Sequence, residues 1–90
     1  MYKRFAKSFR RLAEGLQLEV LEIIESLATS SNPAALGEPL RGNLRGMYRV
    51  RFGPRRAYRL IYSVSFQTIT IEYINVGHRR KIYEKLRRRL

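Results

Sequence analysis

Hydrophobic positions divide the chain into a helical half and a strand half. Phe5, Phe9, Leu12 and Leu16 recur at spacings of three and four, with Lys7, Arg10, Arg11 and Glu14 between them. That period predicts an amphipathic helix. Tyr2 to Phe5 ahead of it reads as a short first strand. Gly15 is expected to interrupt the helical run, and a second helix is predicted from about Leu16 to Thr29. There Val20, Ile23, Ile24 and Leu27 face one way and Glu19, Glu22 and Glu25 the other. Ser30-Ser31-Asn32-Pro33 supplies the turn chemistry that ends it.

From Leu40 onward the period changes. Tyr48, Val50 and Phe52 alternate with Arg49 and Arg51, the spacing of a strand. Gly53-Pro54-Arg55-Arg56 reads as a turn. Tyr58, Leu60, Tyr62 and Val64 then alternate through a second strand, and the β-branched run from Thr68 to Val76 makes a third, closed by Gly77. Arg79 to Leu90 is expected to form a basic helix or tail with Ile82, Leu86 and Leu90 along one side. The order gives an α+β fold of one domain, residues 1–90, with two N-terminal helices packed on one face of a small antiparallel sheet.

Strand alternation also sorts the charges. If Arg51 lies opposite Arg59, the neighbouring pairs are Val50–Leu60 and Phe52–Tyr58, both apolar. The register that builds a clean core therefore collects Arg49, Arg51 and Arg59 on the other face. Tyr48, Tyr58 and Tyr62 fall on the core side and are read as packing residues rather than base-stacking platforms.

Charge adds a direction to this picture. The formal net charge is +12. Residues 1–38 hold five basic side chains and five glutamates, while residues 39–90 hold fourteen basic side chains against Glu72 and Glu84. A charge field segregated in this way points to a polyanion. Fifteen of the nineteen cations are arginine, whose planar fork suits phosphate. No acidic residue lies between Pro39 and Ile71, so the arginine face is expected to have no internal counter-ion and to bind RNA phosphate. Arg45, Arg80 and Lys81 extend it.

Composition excludes several chemistries. Without cysteine there is no disulfide, thiolate metal site or thiol nucleophile. Without aspartate, and with His78 as the sole histidine, neither a carboxylate-bound metal pair nor a paired-histidine ribonuclease can be assembled. Catalysis would have to be metal-free and cofactor-free. No apolar run reaches signal-peptide or membrane-span length, so a cytoplasmic protein is expected, with no membrane partner.

Leu40-Arg41-Gly42, Gly46-Met47-Tyr48-Arg49-Val50-Arg51-Phe52-Gly53 and Ala57-Tyr58-Arg59-Leu60-Ile61-Tyr62 together resemble the central signature of the RelE/ParE toxin superfamily. Val76-Gly77-His78-Arg79-Arg80-Lys81-Ile82-Tyr83 is similar to its closing motif. The resemblance spans nearly the whole chain. It implies the toxin of a type II toxin–antitoxin pair, held inactive by an antitoxin partner. For the RelE-like branch it implies mRNA cleavage in the ribosomal A site, by attack of a ribose 2′-hydroxyl on the adjacent phosphate. The products would be a 2′,3′-cyclic phosphate and a 5′-hydroxyl.

By position, the resemblance implies that Arg59 and Arg79 stabilise charge on the phosphate and that Tyr83 positions or activates the attacking hydroxyl. Arg49 and Arg51 stand where such enzymes often carry lysine. Arginine binds phosphate but does not give up its proton, so the general base would fall to Tyr83 or His78. Each has an alternative: His78 as a loop residue with one local contact, Tyr83 as helix packing. Two other functions stay open, a ParE-like inhibitor of DNA gyrase and a non-enzymatic RNA-binding factor of the ribosome.

Overall fold

A computed structural model describes residues 3–67 and 70–83. Over these the chain forms α1 (Lys3–Arg10), α2 (Glu14–Thr29), β1 (Glu38–Pro39), β2 (Met47–Phe52), β3 (Tyr58–Ser65) and β4 (Thr70–His78). Short 3-10 turns fall at Pro33–Leu36, Gly42–Leu44 and Pro54–Arg56, and residues 79–83 are helical. The strands make one antiparallel sheet in the order β1-β2-β3-β4. The α+β architecture is the expected one, with both helices on the same sheet face.

The helical half differs from the sequence reading in two places. Residues 3–5 belong to α1 and not to a strand, because the helix places Phe5 in the core, 5.7 Å from the ring of Tyr73. The break between helices lies at residues 11–13, ahead of Gly15. Arg11 and Leu12 close tight turns onto the carbonyls of Ser8 and Phe9. The Gln17 side chain also donates to the Phe9 carbonyl, at 3.1 Å, satisfying an acceptor that the end of α1 leaves open. Gly15 sits in the first turn of α2.

Phe5, Val20 and Leu27 from the helices pack on Phe52, Leu60, Tyr62 and Val76 from the sheet. Tyr62 is the centre of this core. It is fully buried, stacks 5.5 Å from Tyr48, and donates its hydroxyl to the Pro33 carbonyl at 2.7 Å. That bond ties the loop after α2 to the sheet. Gly37 follows in the same loop, and a Cβ there would run into the Tyr62 ring and hydroxyl. Only glycine lets the chain pass this close before it enters β1.

β1 is the element the hydrophobic pattern did not announce. Its pairing, Glu38 with Arg49 and Pro39 with Tyr48, is too short to leave a periodic signal. β4 also runs further than expected, with Gly77 inside the strand rather than at its end; the predicted start at Thr68 lies outside the described residues. A bulge places Ile61 opposite Asn75 and Tyr62 opposite Tyr73, making Ile74 the extra residue. Tyr73 and Val76 thereby share the helix-covered face, and Ile74 turns to the other.

That second face is not an open arginine field, as the sequence suggested. Leu40, Ile61, Ile74 and Ile82 form a smaller apolar cluster there, flanked by Leu44, Met47 and Tyr83. Residues 79–83 dock on the sheet through Ile82, which is 2 % exposed. The rest of the predicted C-terminal helix, including Leu86, Leu90 and the Arg87-Arg88-Arg89 run, lies outside the described residues.

Candidate nucleic-acid interface

The β2–β3 hairpin builds the site. Its register pairs Arg51 with Arg59, Val50 with Leu60 and Phe52 with Tyr58, as the alternation predicted. Gly53 opens the turn at φ 77°, where an added side chain would strike the Tyr58 ring. Arg55 and Arg56 follow in the left-handed region at 56° and 54°, a conformation that costs a non-glycine residue roughly 1 kcal/mol or more. This turn directs the Arg56 carbonyl to Arg59, whose Nη1 donates to it and to the Tyr58 carbonyl. Arg59 is 7 % exposed. It shares the face of Arg51 but is sunk beneath it as a strut of the hairpin.

Arg49 and Arg51 carry the accessible chemistry, each about one-third exposed. The expectation that they lack an internal counter-ion requires correction. Glu38, just outside the acid-free interval, is brought alongside by β1. Its carboxylate accepts from Arg51 Nε at 2.7 Å and Arg51 Nη2 at 2.9 Å, a two-pronged ion pair, and lies 3.4 Å from Arg49 Nε. The hydrogen bond from Arg51, with Arg49 beside it, holds the Glu38 carboxyl below the usual carboxylate range. Arg49 Nη1 donates to the Tyr83 hydroxyl at 3.1 Å. Tyr83 and Glu38 together hold the Arg49 guanidinium above its ordinary value.

The Tyr83 ring flanks the second apolar cluster, as the packing reading expected, and its hydroxyl accepts from Arg49. His78 is not brought to them. Register places it opposite Tyr58 on the helix-covered face, with the two rings edge to face at 5.3 Å. Its Nδ1 accepts from the Arg80 backbone N–H at 3.2 Å, in the manner of a helix N-cap for residues 79–83. His78 and Lys81 line a cleft of about 220 Å³ with Ser8 and Arg11. Arg45, Arg79 and Arg80 are exposed. The Arg79 N–H is bonded to the Ala57 carbonyl at 2.8 Å, joining the helical turn to the hairpin.

Glu38, Arg49, Arg51 and Tyr83 therefore form one connected polar cluster fed by β1, β2 and the segment after β4. Sequence reasoning missed Glu38. Its only signal is its place one residue before Pro39, at the edge of the basic half. A separate cleft of about 520 Å³ lies between α2 and β2, bordered by Glu19, Ile23, Val50 and Arg51; it touches the cluster only through Arg51.

Residues 2–83 match the family model described as the ParE toxin of the type II toxin–antitoxin system parDE. The toxin RelG of Mycobacterium tuberculosis is 32 % identical over 85 residues, covering 91 % of this chain and 94 % of RelG. A chain in the crystal structure of the M. tuberculosis toxin–antitoxin complex RelBE2 superimposes with a TM-score of 0.72 at 27 % identity, over 87 % of this chain and 91 % of that one. The isolated E. coli RelE toxin gives 0.63 at 25 % identity, over 98 % and 92 %. On the matched family, the relatives and the shared sheet, the chain belongs to the RelE/ParE family of type II toxin–antitoxin toxins.

Proposed function

We propose that this toxin is a ribosome-dependent, metal-free mRNA endoribonuclease, with the cluster on the second sheet face holding the scissile phosphate. The observation that carries this reading is the Arg49–Tyr83 hydrogen bond. It joins a phosphate-binding guanidinium to a group able to move a proton. Arg51 and Arg49 would bind the non-bridging oxygens, where charge develops as the 2′-hydroxyl attacks. Exposed Arg79 would add a third cation at the edge, and Tyr83 would orient the attacking hydroxyl or exchange its proton. Arg45, Arg80 and Lys81 would contact flanking phosphates, which position RNA without reading its bases. Arg59 would act from below, by fixing the hairpin. His78, across the sheet, is assigned no part in the reaction.

Relatives of this fold occur as complexes with antitoxins, and we assign this chain a cognate antitoxin of complementary, acidic character, given its charge of +12. Action on the ribosome would place it in the cytoplasm; among the described residues no helix is long and apolar enough to cross a membrane. The test is a reconstituted translation reaction with purified toxin, read by primer extension on the mRNA. Cuts within codons are expected, with Tyr83→Phe slowing cleavage on the order of 10²-fold while the fold is kept. The second reading, a gyrase inhibitor, is favoured by the ParE description of the matched family and by the absence of lysine on β2. Intact mRNA combined with blocked supercoiling by gyrase would establish it instead.

A further inference from the structure

The proposed phosphate site already holds an anion. Glu38 presents two oxygens to the Arg51 fork at 2.7 and 2.9 Å, with Arg49 Nε at 3.4 Å and Arg49 Nη2 at 3.5 Å. A phosphodiester offers two non-bridging oxygens to the same donors in the same planar arrangement. One fork cannot serve both. The Glu38 backbone is fixed by pairing with Arg49 and by the close passage of Gly37 over Tyr62. Its side chain, however, is 46 % exposed. It can therefore swing to solvent without disturbing the strand, and an ion pair this open is weak enough to be exchanged.

We propose that Glu38 is an internal phosphate surrogate: it occupies the Arg49–Arg51 fork in the free protein, and an RNA phosphate binds by displacing it. The inference rests on the reading of this face as an RNA site and adds an intramolecular competitor to it. The competitor lowers affinity for any RNA that touches the fork alone, and spares RNA that binds elsewhere on the surface strongly enough to drive the exchange. It also holds both guanidinium groups in place when no RNA is bound.

The test uses the full chain and a short, fluorescently labelled single-stranded RNA, with affinity read by anisotropy over a series of salt concentrations. Glu38→Gln removes the competing charge and is expected to tighten binding roughly three- to tenfold. The salt dependence should steepen by about 0.7 for each additional phosphate neutralised. Glu38→Ala is the second variant, and thermal melts establish that both fold. Glu25→Gln, on the exposed side of α2, makes the same change in net charge at a distance and should shift affinity less than about twofold. Two outcomes overturn the proposal: Glu38 variants matching Glu25→Gln, or binding more weakly than wild type because the carboxylate is needed to hold the arginines. Arg51→Ala separates the two levels. If it weakens RNA binding while the Glu38 variants do not tighten it, only the surrogate role falls. If it leaves binding unchanged, the RNA face itself falls, and the surrogate with it.

Discussion

Truncating Arg59 and truncating Arg79 should have very different effects on stability. Arg59→Ala removes a stem buried at 7 % exposure; the two methylenes lost beyond Cβ are worth roughly 1.6 kcal/mol. It also removes the charged donor to the carbonyls of Arg56 and Tyr58, hydrogen bonds worth about 1.5–3 kcal/mol. Two effects oppose these losses. About 2 kcal/mol of side-chain entropy is recovered, and the like charge opposite Arg51 disappears. The net destabilisation is about 2 kcal/mol, or a fall in Tm of about 10 °C for a domain of this length. Arg79 is exposed, and its one described bond is made by its backbone N–H, which alanine keeps. Arg79→Ala should stay within about 0.5 kcal/mol of the parent. Urea unfolding followed by circular dichroism measures both, with Arg59→Met separating the stem from the guanidinium. If Arg59→Ala were as stable as Arg79→Ala, the description of Arg59 as a buried strut would be refuted.

Alkaline pH should expose the burial of Tyr62. Its phenol is pushed up from 10.0 to about 12, so stability is full below pH 10 and declines as pH rises toward 12, because the unfolded chain loses the proton first. The decline is roughly 2–3 kcal/mol. Urea midpoints across that range should flatten in Tyr62→Phe, leaving the smaller contribution of Tyr73, also raised by burial. A second comparison sets two glycines against each other. Gly37→Ala places a methyl on the Tyr62 ring and should cost about 1–3 kcal/mol, whereas Gly15→Ala meets nothing within 4 Å and should stabilise α2 by up to about 1 kcal/mol. Thermal melts showing the same sign for both would contradict the close packing at Gly37.

Where the structure could be read from sequence, the cause was a strong period with one solution. Burying Val50, Leu60, Phe52 and Tyr58 together forces Arg51 opposite Arg59, and the pairing is found. Three features escaped for separate physical reasons. β1 is two residues long, so no alternation could reveal it, yet it delivers Glu38. The bulge at Ile74 shifts the alternation within β4, which a strict period of two cannot anticipate. His78 stood as a candidate base because the arginines cannot release a proton and because it lies in the closing motif. Register decides otherwise: pairing with Tyr58 puts its ring on the helix-covered face.

Arginine on β2, where the family resemblance implies lysine, acquires a second meaning from the cluster. A lysine there would offer a removable proton but one ammonium. Arg49 instead spreads its donors along a plane, reaching the Tyr83 hydroxyl with one nitrogen while two others lie 3.4–3.5 Å from Glu38. Arg51 closes the fork on the same carboxylate. Strand, edge and C-terminal segment are thereby connected through a planar group that an ammonium could not imitate. Within this cluster the groups able to exchange a proton are Tyr83 and Glu38, since the arginines retain theirs. A carboxylate held low by two arginines is a weak acceptor while it remains in the fork. Were a phosphate to take its place as proposed, Glu38 would leave the cations that depress it and return toward the ordinary carboxylate range.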